Sequence, residues 1–149
     1  MPRYRSKTVA TWLAVVGGAF GVHRFYLNGL GDRLGWLHAL PTALGLAGVQ
    51  RMLHFGQDDR IAWLLIPLLG LMLAQGMLCA IVYGLSPDAK WDFRHNPGQA
   101  ERPTGWGPVL GVVVALFVGA AVLMGTIAFS GQRYFEWRFD PQRSIHKPA

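Results

Sequence analysis

The sequence predicts an all-α integral membrane protein: a helical bundle of four transmembrane helices paired as two hairpins. Three observations carry this expectation. Charged residues are 15% of the 149-residue chain, against about 25% in soluble domains, so the polar surface that a water-soluble globule needs is missing. Hydrophobic residues reach 52%, which excludes intrinsic disorder. The fourteen Lys and Arg punctuate four stretches that hold no Asp, Glu, Lys or Arg, as basic residues do at the ends of membrane spans. A nucleic-acid footprint would gather them on one face, so no nucleic acid is expected despite the formal charge of +6. One cysteine excludes an internal disulfide framework.

The first helix is expected over about residues 6–25. Its uncharged stretch, 8–22, gives only about 22 Å of helix, short of about 30 Å of hydrocarbon. Lys7 and Arg24 snorkelling to opposite interfaces, with Phe25 and Tyr26 in an aromatic belt, extend it to a full span. The second helix, about 33–52, borrows its flanks in the same way around His38, Pro41 and Thr42. Two full spans plus a re-entrant or interfacial hairpin is the alternative that such short, Gly- and Pro-interrupted segments permit. The third and fourth helices, about 61–85 and 107–130, exceed the roughly 20 residues a span requires. The chain thus divides into a hairpin over 1–56, a second hairpin over 57–130 and an aromatic, basic tail over 131–149. In the loop 86–105, Ser86, Pro87 and Asp88 suit a helix start and Asn96, Pro97 and Gly98 a stop, with Trp91 and Phe93 marking an interfacial segment. Residues 134–140 alternate apolar and charged, which predicts a short strand or an extended interfacial segment. No small-x-small cleavage site follows the first apolar run, so the first helix is expected to stay attached. With four spans in the cell membrane, the Lys and Arg distribution favours both termini in the cytoplasm.

Gly17 and Gly21, four residues apart beside Ala14 and Gly18, predict a face where a second backbone approaches closely, within the hairpin or in an oligomer. Similar small-residue seams run through Gly76, Ala80 and Gly84, and through Gly111, Ala115 and Gly119. His23 and Arg24 read either as an interface anchor or as a contact for an anionic lipid phosphate. His23 and His38 without a carboxylate or thiolate pattern do not make a metal or haem site, so no metal or cofactor is expected. Gln75 suits an interhelical hydrogen bond, Cys79 inert packing, and Asp58 and Asp59 a solvated loop. Neither long apolar segment holds an ionisable residue, which disfavours a coupled transporter. No catalytic constellation is present in the residue pattern.

Residues 4–7, Tyr-Arg-Ser-Lys, lead a Gly-rich apolar helix into Gly21, Val22, His23, Arg24, Phe25, Tyr26 and Leu27, followed by Gly29, Gly31 and a second apolar helix. Over about residues 4–52 this closely resembles the TM-two domain family, a pair of membrane helices joined by a turn carrying HRFYL. Asn28 stands where members often have Gly, and Ala47, Gly48, Val49 and Gln50 stand where many carry an acidic residue late in the second helix. If that acid normally balances the loop arginine, the balance is missing here or comes from Asp32. The animal members imply an HRFYL turn facing the cytosol, opposite to the charge count. Motif resemblance transfers no specific activity. The expected role is a non-enzymatic interaction or assembly protein working through helix packing and contacts with lipids or partners at residues 23–27. A channel or permease subunit is the alternative, and a membrane enzyme the third reading.

Overall fold

The computed structural model describes residues 4–139, and every element in them is helical. Ser6 caps the first helix, α1 (Lys7–Gly17), its hydroxyl accepting from the Val9 amide. At 11 residues, α1 is about 16 Å long and cannot cross a bilayer. A 3-10 turn over Gly18–Phe20 follows, then Gly21, then α2 (Val22–Asn28). The continuous helix expected over 6–25 is therefore broken. Gly21 has φ of 73°, a backbone region that costs an L side chain energy and that Gly enters freely. The chain turns there and α2 runs back along α1: Leu27 packs with Ala10, and the Tyr26 hydroxyl accepts from the Ser6 amide at 2.9 Å. Irregular backbone at membrane depth is tolerated only where protein satisfies it. Here the Thr42 hydroxyl donates to the Ala19 carbonyl at 2.6 Å, and the Gly21 amide to Gly18.

Three long helices frame this short hairpin. α3 (Arg33–Phe55) is capped by Asp32, and α4 (Arg60–Leu85) by Asp59, each carboxylate accepting a backbone amide two residues on. α5 (Asp88–His95) is the short helix expected in the third loop, and α6 (Gly107–Arg138) is the longest, at 32 residues. Contacts set the register. Gly45 and Gly48 of α3 meet Leu69 and Leu65 of α4, so these two run antiparallel. Gly18 lies against Gly76, while Lys7 reaches the Ser86 carbonyl at 3.0 Å, which sets α1 antiparallel to α4 as well. α6 lies parallel to α1, with Gly107 against Thr8 and Gly111 against Thr11. Lys7 and α5 thus sit at one end of the bundle, the α5 end. Gly56 and Arg133, whose guanidinium lies 5.0 Å over the Trp63 ring, sit at the other. The N-terminal segment and the end of α6 are consequently at opposite ends, not at the same end as four crossings require.

α4 and α6 are long and apolar enough to cross a membrane, with mean hydropathy of 2.2 and 2.6 over their most apolar windows. Only 17% and 6% of those windows are buried, whereas the core helix of a soluble protein is mostly covered. The packing is sorted by size. Ala10, Ala14, Ala62, Ala80 and Ala115 are fully buried, while Phe117, Leu64 and Leu78 point outward. That is how helices associate in lipid, where large apolar side chains gain nothing by leaving the tails and small ones let backbones approach. Two further expectations change. Residues 134–138 continue α6 and form no strand; Gln132 and Arg133 both bond Glu136 along the helix, and an interfacial backbone is best satisfied within its own helix. The remainder of the expected tail, 140–149, lies outside the described residues. Gln75 bonds Cys79 one turn along α4 at 3.7 Å and not a neighbouring helix.

Candidate functional site

Every side chain of the HRFYL corner has a structural task. His23 is fully buried on α2, with its ring 5.8 Å from that of His38 and 5.6 Å from that of Tyr83. Arg24 donates to Asp32 at 3.0 Å, and Asn28 donates to the same carboxylate at 2.6 Å. The bond from Asn28, then those from Arg24 and the Leu34 amide, hold the Asp32 carboxyl below its ordinary range. Asp32 therefore supplies the balancing charge. Phe25 packs on the bare face of Gly35 and against Trp36, at 5.3 Å between rings. Leu27 is buried with Ala10 and Trp91. The candidates Gly17 and Gly21 do not share a face. A Cβ on Gly17 would meet Val22 of its own turn, and one on Gly21 would lie 2.5 Å from the Gly35 carbonyl oxygen. Close interhelical approach is made by Gly18 against Gly76 of α4 and by Gly21 against Gly35 of α3, because the helix break turns Gly21 toward α3.

The segment before α1 is strapped onto α5. The Tyr4 hydroxyl donates to Asp92 at 2.9 Å. The Arg5 amide donates to the Asn96 side chain at 2.7 Å, and the Arg5 carbonyl accepts from Trp91 at 2.8 Å and from Asn96 at 3.2 Å. Lys7, nearly buried, forms an ion pair with Asp88, which also accepts the Thr104 amide and hydroxyl. Burial and then the bond to Asp92 push the Tyr4 phenol up to about 12, so it remains a donor. Burial alone would raise Asp88, but the Lys7 ammonium and the two Thr104 bonds outweigh it and bring the carboxyl down to about 2. This strap was not read from the sequence. Its residues are scattered over 4–7 and 88–104; the sequence marked the start and stop of α5, its aromatic residues and the Tyr-Arg-Ser-Lys lead separately, but not their pairing.

Between the strap, α2 and the end of α5 lies a cavity of about 550 Å³, bordered by Tyr4, Arg5, Phe25, Tyr26, His95 and Gln99 among others. Of the HRFYL residues, Phe25 and Tyr26 reach it; His23 and Arg24 do not. Burial first, and then the nearby Arg94 and Arg5 guanidinium groups, hold the His95 imidazole below its usual value. Among the described residues no cluster of three His, Cys, Asp or Glu is placed to hold a metal ion.

Residues 3–53 match the family model described as the TM2 domain, so the resemblance carried by the HRFYL corner is shown for the first third of the chain. No curated protein and no solved structure matches the chain. The TM2 domain together with the two long apolar helices marks a membrane protein.

Proposed function

We propose that this chain, a membrane protein whose first third is a TM2 domain, is a non-enzymatic assembly or scaffold protein that acts through its outward helix faces and through lipid or partner contacts at the α5 end. The observation that carries the reading is how its polar groups are committed. Lys7 is paired with Asp88, Arg24 with Asp32, Arg51 with Asp59, and Arg133 with Glu136. The first three pairs fasten loops and helix ends to one another and the fourth lies along α6, while the outward surface of α4 and α6 is largely apolar and the strap cavity stays open.

The membrane arrangement belongs to the same proposal: α3, α4 and α6 cross, and α1 with α2 enters from the α5 end and returns to it. α3 has 23 residues, about 34 Å of helix, enough to span. Among the described residues, Arg5, Lys7, Arg24, Arg33, Lys90, Arg94 and Arg102 fall at the α5 end, against Arg51, Arg60, Arg133 and Arg138 at the other. The excess of basic residues favours a cytoplasmic α5 end in the cell membrane. An odd number of crossings then puts the end of α6 outside, in place of two cytoplasmic termini.

Chemical crosslinking and native mass spectrometry of the full chain in lipid nanodiscs test the assembly role. A self-assembled, lipid-retaining or partner-bound species is expected. A strict monomer with neither lipid nor partner would overturn it.

A further inference from the structure

We propose that the cavity between the strap and α2 is a binding site for a phosphate-bearing anion, seated by Arg5, Tyr26 and His95, and that a lipid headgroup is its source. The inference rests on reading the α5 end as a contact surface of a membrane protein, and it names the chemistry of the contact.

Three donors around the cavity are uncommitted. The Arg5 backbone is held by Asn96 and Trp91, but its guanidinium pairs with no carboxylate among the described residues. The Tyr26 hydroxyl uses a lone pair on the Ser6 amide and keeps its own proton to donate. The His95 ring is fixed against Trp91 at 4.3 Å between centroids, and its nitrogens make no hydrogen bond among the described residues. Among the described residues no carboxylate lines the cavity, and the two that bond the strap are already occupied. Asp88 is occupied by Lys7 and Thr104, and Asp92 by Tyr4, Asn96 and the Arg102 amide. The fixed charge left on the cavity wall is therefore positive.

The volume falls in the range of about 300–1,000 Å³ that small-molecule sites occupy. Arginine offers a forked set of donors that matches phosphate oxygens, and such charge-assisted bonds are the strong ones. Phe25 adds an apolar wall beside the donors, which suits a phosphate carried on a glycerol and acyl body better than a free ion. His23 and Arg24, the motif residues with the donor chemistry for this role, are unsuited to it, one fully buried and the other paired with Asp32.

The test uses the full chain in detergent, titrated with phosphatidylglycerol, with phosphatidylcholine, and in a separate arm with inorganic phosphate, bound species being counted by native mass spectrometry. Wild type is expected to retain one phosphatidylglycerol in preference to phosphatidylcholine. Arg5→Gln should weaken that retention about tenfold, the loss of one charge-assisted contact. Tyr26→Phe should weaken it less, and Arg138→Gln, at the far end, should leave it unchanged. Because the Arg5 side chain makes no bond within the described fold, the thermal midpoint of Arg5→Gln should equal that of wild type. Arg5-dependent binding of inorganic phosphate without preference between the lipids would keep the anion site and overturn its lipid source. Binding that ignores Arg5 in both arms would overturn the site. An oligomer or partner still seen by crosslinking in that case would leave the assembly role standing, so the two failures are distinguishable.

Discussion

Gly18 and Gly76 meet backbone to backbone, and a Cβ on Gly18 would lie 2.5 Å from the Gly76 Cα. No side chain can move aside there, so Gly18→Ala forces the α1 tip away from α4. A loss of about 1–3 kcal/mol is expected, the usual cost of overpacking. Gly125, by contrast, has open space where its Cβ would be, and alanine is the better helix former by about 1 kcal/mol in water. Thermal unfolding in one detergent should therefore show Gly18→Ala melting well below wild type and Gly125→Ala melting at or above it. Equal midpoints for the two variants would contradict the close approach.

At the scale of elements, the strap couples the start of α1 to α5 through a buried cation. Lys7 has 7% side-chain exposure, and removing the partner of a buried charge costs about 3–5 kcal/mol in comparable sites. Asp88→Asn should thus destabilise the α1–α5 junction more than Asp58→Asn does on the opposite loop. The acid response follows from the carboxyl lying below its ordinary 3.8, at about 2. A carboxylate whose value is depressed on folding stabilises fully above its unfolded value and loses that contribution as pH falls through the folded one. The strap is expected to hold at pH 5 and to loosen progressively between about pH 4 and pH 2. Trp91 fluorescence, sensitive to its bond with the Arg5 carbonyl, reports the loosening. In Asp88→Asn the acid limb should shrink, and an unchanged limb would assign the response to other carboxylates.

For the whole molecule the decisive quantity is the number of crossings. If α1 and α2 form a re-entrant hairpin, an N-terminal epitope and a cysteine at the exposed Leu30 lie on the same side of the membrane. In a four-span bundle they lie on opposite sides. With Cys79→Ser as background, a membrane-impermeant maleimide should label Leu30→Cys from the side where the N-terminal epitope is accessible. Labelling from the opposite side would restore a full first span.

The helical class, the apolar solvent, the two long apolar helices, the α5 interruption and the TM2 corner were legible in the sequence, because suitability for lipid is a matter of composition and run length. Residues 61–85 needed no partner to be read as a helix of spanning length. The path of residues 6–28 was not legible. Gly17, Gly18 and Gly21 permit both a continuous helix packed through small residues and a broken one, and the sequence does not say which backbone lies opposite. Gly76, Gly35 and the Thr42 hydroxyl select the break by meeting Gly18, Gly21 and the Ala19 carbonyl. The same holds for the cavity: Arg5, Tyr26 and His95 are far apart along the chain, and only the docking of the N-terminal segment on α5 brings their donors to one place. Hydrophobicity is a local property and reads out residue by residue, whereas a break between two short helices and the cavity beside it depend on which distant groups satisfy the freed backbone.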